Sequence, residues 1–154
     1  MRNAASLDRG LHRRLVDGLY LEAMMMADEA RAYFDGDVLS QEDAADPLRR
    51  VAFACESLKV TTRLMHIIAW LLTQRAVETG ELTPREALDP SRRLGTAPVT
   101  DKALLTQLPP SAAGLIAASI DLHRRVARLD DAQDAALPVA SPARSIQSRL
   151  AMSF

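Results

Sequence analysis

One segment of the chain, from Pro47 to Gly80, restricts the fold more than any other. Its apolar residues recur at steps of three and four, and they form two adjacent stripes that together cover roughly 200° of a helix circumference. A helix over about 47–79 would be roughly 50 Å long, at about 1.5 Å per residue. We expect a helix this long and this apolar to have neighbours on two sides along its whole length.

The same spacing predicts two further long helices. Apolar residues alternate steps of four and three from Leu11 to Phe34, and a similar stripe that includes Ser119 extends from Leu115 to Leu129. These patterns predict helices over about 8–34 and 110–134. The acidic segment 35–46 lacks this spacing and precedes a proline, so we expect a surface connection there. Capping residues predict two short helices, at about 84–89 and 101–108.

The composition favours helices over strands, because aromatic residues make up only 4% of the chain and β-branched residues rarely cluster. A length of 154 residues is usual for one domain. We therefore predict an all-α fold, a three-helix up-down-up bundle over residues 1–137. Residues 138–154 contain two prolines and four serines but no acidic residue, so we expect a flexible tail.

Charge and composition disfavour several classes of protein. A net charge of −1 gives no overall attraction to nucleic acid or to an anionic membrane, and the arginine pairs lack interleaved aromatic residues. The longest apolar run, Ile67 to Leu72, is far shorter than the roughly 20 residues that a bilayer requires. The single cysteine forms no internal disulfide, and no signal-peptide pattern opens the sequence. We expect a cytoplasmic protein without a membrane span.

The sequence carries no pattern of a catalytic, cofactor or metal site. The three histidines lie on different predicted helices, and neither HExxH, CxxC nor a glycine-rich phosphate loop is present. His66 has no carboxylate four residues away and no nucleophile within its helical turn. We predict that the protein is not an enzyme and binds no cofactor. A small hydrolase or metal protein centred on His66 is the alternative.

The long central helix carries a polar strip at steps of three and four. In one interpretation the strip is a solvated face with an ion pair between Glu56 and Lys59, which contributes a few tenths of a kcal/mol. In the other it is a docking face for a partner, because tryptophan and arginine are enriched at interface hot spots. Both interpretations place the strip at the surface. Its members are Glu56, Lys59, Arg63, His66 and Trp70.

Two other sets of residues are candidates for binding. Three helices leave part of a 50 Å helix uncovered, so we expect a homodimer whose dimer or core seam comprises Leu58, Leu64, Met65, Ile68, Leu71 and Leu72. The tail has apolar residues spaced by four, which suit an amphipathic turn against a partner groove; a frayed terminus without a role is the alternative. The tail candidates are Arg144, Ile146, Arg149, Leu150, Met152 and Phe154.

Two stretches of the chain resemble one known family. They are ACESLKVTTRLMHIIAWLLTQRAVETGELT (54–83) and LPPSAAGLIAASIDLHRRVARLD (108–130). Both resemble the RcdA family of alphaproteobacteria, the regulators of CtrA degradation, long catalogued as a domain of unknown function. The resemblance extends from the first helix to about Asp130, whereas the loop 89–101 and the tail match poorly.

The resemblance implies a small dimeric three-helix bundle with a mobile tail. It also implies a non-enzymatic adaptor that tethers substrates to the ClpXP protease during cell-cycle progression. The implied partners are ClpXP, a response-regulator protein that primes it, a cyclic-di-GMP effector and the proteolysis substrates. No catalytic residue is carried over. The alternatives are a DNA-associated helical regulator that uses the paired arginines and a structural helical dimer without a protease role.

Overall fold

The computed structural model describes residues 2–136, 146 and 149–153 of the chain. Within these residues the chain forms helices and connections but no strand, so the predicted all-α class is confirmed. None of the described helices is long and apolar enough to cross a membrane. The α-helices are α1 (Arg2–Phe34), α2 (Gln41–Ala45), α3 (Pro47–Glu78), α4 (Lys102–Leu105) and α5 (Pro110–Ala136), and two short 3₁₀ helices cover Glu86–Leu88 and Pro90–Arg92.

Local capping explains where α3 begins and ends. The Asp46 side chain accepts a hydrogen bond from the backbone N–H of Leu48 at 3.0 Å, and Pro47 occupies the first turn, where its missing N–H costs nothing. At the other end, Gly80 adopts a φ of +82°, the left-handed conformation that terminates helices. The helix therefore has the extent that its apolar spacing predicts.

The short helix α2 lies inside the acidic segment 35–46, for which we predicted a surface connection without a helix-forming apolar pattern. Its first turn is closed by the Ser40 side chain, which accepts from the N–H of Asp43 at 3.1 Å. Glu42 and Asp43 also lie in that first turn, where negative charge is favourable to the helix dipole. The helix forms from these local effects, since none of its residues is buried, and an apolar periodicity could not reveal it.

The core lies where α3 meets both other long helices. α1 and α5 each pack against α3 and also contact each other, which covers one broad side of the central helix. The buried apolar cluster combines Val16, Leu19, Ala23 and Ala30 of α1 with Val60, Leu64, Ile67, Trp70 and Leu71 of α3 and Ile116, Leu122 and Val126 of α5.

Contacts between helices show that α1 and α3 run in opposite directions. Arg13, near the start of α1, pairs with Glu78 at the end of α3 at 3.6 Å. At the other end of the pair, the rings of Phe34 and Phe53 lie 5.2 Å apart. α1 and α3 are therefore antiparallel, as the up-down part of the predicted order requires.

The direction of α5 differs from the predicted up-down-up order. Arg63 of α3 contacts Ser119 of α5, and further along both helices Gln74 contacts Gln133, so α5 runs parallel to α3. The prediction of an up-down-up bundle is wrong, and the observed order is up-down-down. A parallel helix is reached because residues 79–109 return along the length of α3 before α5 begins.

A matched pair of leucines tests the position of the core. Leu71 is completely buried and Leu21 is 61% exposed. Leu71→Ala should lower the free energy of unfolding by about 2–5 kcal/mol, because it removes packed methyl groups and leaves a cavity. Leu21→Ala should change it by less than about 0.5 kcal/mol. Urea unfolding monitored by circular dichroism measures both, and equal losses would contradict this position of the core.

Candidate functional site

The structure places the polar strip of α3 in the interior of the protein. Arg63 is completely buried, Glu56 is 1% exposed and Trp70 is 2% exposed, while Lys59 and His66 are half-buried. The expectation of a surface strip is wrong for the three buried members, because a connecting segment of the same chain covers them. We refer to this segment, residues 93–100, as the strap.

The strap lies antiparallel to α3, with its end over the beginning of the polar strip. The Thr100 hydroxyl donates to a Glu56 carboxylate oxygen at 2.7 Å. Lys59 Nζ donates to the other Glu56 oxygen at 3.0 Å and to the carbonyl of Val99 at 2.8 Å. Towards its beginning, the strap packs Gly95 against the ring of His66. Glu56, Lys59 and His66 therefore all contact the strap and help to hold it on α3.

Arg63 forms hydrogen bonds with both the strap and α5. Its guanidinium donates to Thr100 Oγ1 at 2.6 Å, to the Pro98 carbonyl at 3.0 Å and to Ser119 Oγ of α5 at 3.2 Å. Burial lowers the pKa of Arg63, and the charge of Glu56 opposes this by raising it. Arginine stays protonated in proteins, so the guanidinium is a buried charge that joins the strap, α3 and α5.

A second buried cluster holds the first residue of the strap. The Asp130 carboxylate of α5, which is 6% exposed, accepts from Trp70 Nε1 at 2.9 Å and from Arg93 Nε at 2.8 Å. The hydrogen bond to Asp130 raises the pKa of Arg93 above its usual value. Trp70 is therefore a core residue with a satisfied N–H, and its partner is an acid of the same chain.

Gly95 lies between two histidines at the middle of the site. His123 Nε2 of α5 donates to the Gly95 carbonyl at 2.8 Å. A Cβ at Gly95 would lie 2.6 Å from His66 Nδ1, closer than real Cβ atoms approach another atom. Only glycine brings the strap this close to both helices. His66 thus supports backbone packing, and its Nδ1 is buried without a hydrogen-bond partner in the described part of the chain.

The described residues contain no cluster of three or more histidine, cysteine, aspartate or glutamate side chains that could hold a metal ion. The polar groups at the site are arranged as donors and acceptors between chain segments. These hydrogen bonds hold the strap in one register on α3 and α5.

The predicted seam of α3 divides between the core and the surface. Leu64 and Leu71 are buried, and Ile68 packs half-buried against the core, whereas Leu58, Met65 and Leu72 are exposed. With Val51, the exposed members recur every seven residues, on the side of α3 opposite the core. We call this surface the outer face; it comprises Leu48, Val51, Cys55, Leu58, Met65, Ala69 and Leu72.

The tail candidates are described only in part. Ile146, Leu150 and Met152 are exposed, and Arg149 is exposed beside them. Residues 146 and 149–152 have helical backbone. Arg144 and Phe154 lie outside the described residues. The amphipathic tail and its flexibility therefore stay predictions.

Sequence reasoning missed the hydrogen-bond partners of the polar strip, namely the carbonyls of Pro98 and Val99, Thr100, Ser119 and Asp130. Their separations from the strip, from 35 to 60 residues, leave no local periodicity to detect. The one available signal was the strip itself, because an arginine and a tryptophan on an apolar helix need either water or partners of their own chain.

This geometry is that of a helical scaffold protein. A connecting segment of the same chain covers its interior, and one apolar face remains exposed. A family model described as "Protein of unknown function (DUF1465)" matches residues 7–154, and the chain belongs to this family. It is similar to RcdA from Caulobacter crescentus CB15, whose crystal structure matches with a TM-score of 0.57 and 33% sequence identity, over 77% of this chain and 90% of that chain. The resemblance to the RcdA family is thereby confirmed. No curated protein sequence is significantly similar.

Glycine substitutions test the packing of the strap. Gly95→Ala should lower the free energy of unfolding by about 1–3 kcal/mol, because the new Cβ collides with His66. Gly114→Ala, within α5 and with open space around its Cα, should raise it by about 0.5–1 kcal/mol. Chemical denaturation of both variants measures the difference.

The control for this test is the same substitution made in a His66→Ala background. There the ring is absent, so Gly95→Ala should cost clearly less than it does in the native chain. A cost that is the same in both backgrounds would show that the strap does not pack on His66.

Proposed function

We propose that this protein is a non-enzymatic adaptor that tethers substrates or regulators to the ClpXP protease for regulated, cell-cycle-linked proteolysis in the cytoplasm. The observation that carries the proposal is the similarity to RcdA over most of both chains. Tethering needs no acid, base or metal; it raises the effective concentration of cargo at the enzyme through two binding surfaces. The polar strip fits a non-enzymatic role, because its buried side chains form hydrogen bonds that join the strap to α3 and α5.

Two surfaces are available for partners in this proposal. One is the outer face of α3, and the other is the apolar side of the tail around Ile146 and Leu150, both of which are about half exposed. This proposal does not use the polar strip, because Glu56, Arg63 and Trp70 are buried. A priming response regulator, a cyclic-di-GMP effector and cargo proteins are proposed as partners through the resemblance to the family.

We also propose that the outer face joins two copies of the chain. Apolar residues that repeat every seven positions suit the 3.5-residue repeat of helices packed side by side. Exposed leucine and methionine side chains in a continuous row also favour a covered interface over free solvent. The same face accounts for the exposed half of the predicted seam.

The adaptor proposal is tested by recovery of protease from cytoplasm. The intact chain should retain the ClpX unfoldase and regulatory proteins, and a chain that ends at Leu137 should lose some of them, as identified by mass spectrometry. The pair Ile146→Ser and Leu150→Ser should reproduce the loss because it removes the apolar side of the tail. The matched control is Leu21→Ser with Met25→Ser, which are similarly exposed on α1. If no form of the chain retains protease components, the proposal fails.

The proposed dimer is tested by mass in solution. At tens of micromolar, size-exclusion chromatography with light scattering should give about twice the chain mass of 16.8 kDa. Leu58→Glu with Met65→Glu should give the single-chain mass, because paired faces would bury four like charges. Leu21→Glu with Met25→Glu should leave the mass unchanged. A native chain that is monomeric under these conditions would contradict the dimer.

A further inference from the structure

A cleft of about 670 Å³ lies between the end of the strap and α5. Its walls are the end of the strap, α4 and the middle of α5. Apolar side chains, half of them alanines, cover most of the surface: Ala97, Val99, Leu105, Ala117, Ile120 and Ala127. No phenylalanine, tyrosine or tryptophan lines the cleft. The space therefore fits a slender chain with small side chains better than an aromatic ring system, which would need a stacking surface.

The cleft carries positive charge that the rest of the described chain does not neutralise. Lys102 of α4 and Arg124 of α5 both line it, both are exposed, and neither forms an ion pair with any described residue. Its one carboxylate, Asp121, already accepts from Arg125 Nε at 3.1 Å. The buried Arg63 lies at the back of the cleft. Together Arg63, Lys59 and Glu56 carry two positive charges and one negative charge, so this group is also net positive. An occupant with negative charge is therefore favoured.

The strap wall of the cleft also presents unused hydrogen-bond donors. The carbonyls of Gly95, Pro98 and Val99 accept from side chains of α3 and α5, which fixes the orientation of the strap. By contrast, the backbone N–H groups of Ala97, Val99 and Thr100, which line the cleft, donate to no acceptor among the described residues. A ligand that lies along this wall needs acceptors at regular spacing, as the carbonyls of an extended peptide provide.

We propose that this cleft binds an extended acidic peptide segment of a partner protein. Carboxylates of the peptide pair with Lys102 and Arg124, its backbone carbonyls accept from the free N–H groups of the strap, and its small apolar side chains lie on the alanines of α5. The inference rests on the proposed adaptor function and deepens it, because it assigns one class of cargo or regulator segment to a specific site. Strap rigidity then matters for binding, since Arg63 and Gly95 hold the donors in place.

The first experiment uses a mixture of 12-residue peptides with positions randomised among Asp, Glu, Lys, Ala, Val and Leu. The intact protein is immobilised, and retained peptides are identified by mass spectrometry at about 50 mM salt, where charge pairing is weakly screened. Retained peptides should be enriched in Asp and Glu next to Ala and Val. Lys102→Glu with Arg124→Glu should reduce their retention by at least about tenfold, because the carboxylates then face like charge.

A matched control changes the net charge by the same amount elsewhere. Arg14 and Arg85 are exposed, lie outside the cleft and form no ion pair in the described part of the chain. Arg14→Glu with Arg85→Glu should retain acidic peptides as the native chain does. Equal losses in the two double variants, enrichment of Lys-containing peptides, or no enrichment at all would overturn the proposal. So would capture of a duplex DNA through Lys102 and Arg124 without capture of acidic peptides.

A second measurement locates the bound peptide. Addition of a retained peptide to ¹⁵N-labelled protein should shift the amide signals of Ala97, Val99 and Thr100, because these donors become hydrogen-bonded, and should leave Gly10 unchanged. Shifts confined to other elements would place the peptide elsewhere and overturn the assignment of the site. The test is independent of the protease. A native chain that retains ClpX but captures no acidic peptide overturns this inference alone, whereas a native chain that captures acidic peptides but retains no protease component overturns the adaptor proposal alone.

Discussion

The buried guanidinium of Arg63 is the interaction on which the arrangement of this protein depends. Removing a charged group from water costs several kcal/mol unless partners surround it. Arg63 finds those partners in Ser119 of α5 and in Pro98 and Thr100 of the strap. One side chain of α3 thereby links α5 and the strap to the same point of the central helix. A variant that removed it would leave the buried carboxylate of Glu56 with less compensating charge.

This constraint also explains which surfaces remain for binding. The strap, α1 and α5 all lie towards the side of α3 that carries the core and the polar strip, so none of them covers the outer face with its seven-residue repeat. The end of the same strap forms one wall of the cationic cleft, where the backbone N–H groups of Ala97, Val99 and Thr100 have no acceptor among the described residues. A closed interior and two exposed surfaces are compatible with the proposed adaptor function.

The spans of the long helices were predictable because their signals are local. Apolar steps of three and four, Pro47 at the start and Gly80 after the end describe α3 without reference to any neighbour. The location of Glu56, Arg63 and Trp70 was not predictable in the same way, since a polar residue at these steps looks identical whether water or a distant loop satisfies it. The direction of α5 was missed for a related reason, because a connection as long as 79–109 can return a helix in either sense.

By itself, the sequence determined the all-α class, the positions of the long helices and an apolar surface larger than one core can cover, because helical periodicity and capping act within a few residues of each other. It also carried enough similarity to place the chain in its family. Only the tertiary structure decided that α5 runs parallel to α3, that the polar strip is fastened to the strap and that the exposed half of the seam faces outward. These outcomes depend on contacts between residues 35 to 60 positions apart, whose free energy is gained only when the whole chain has folded.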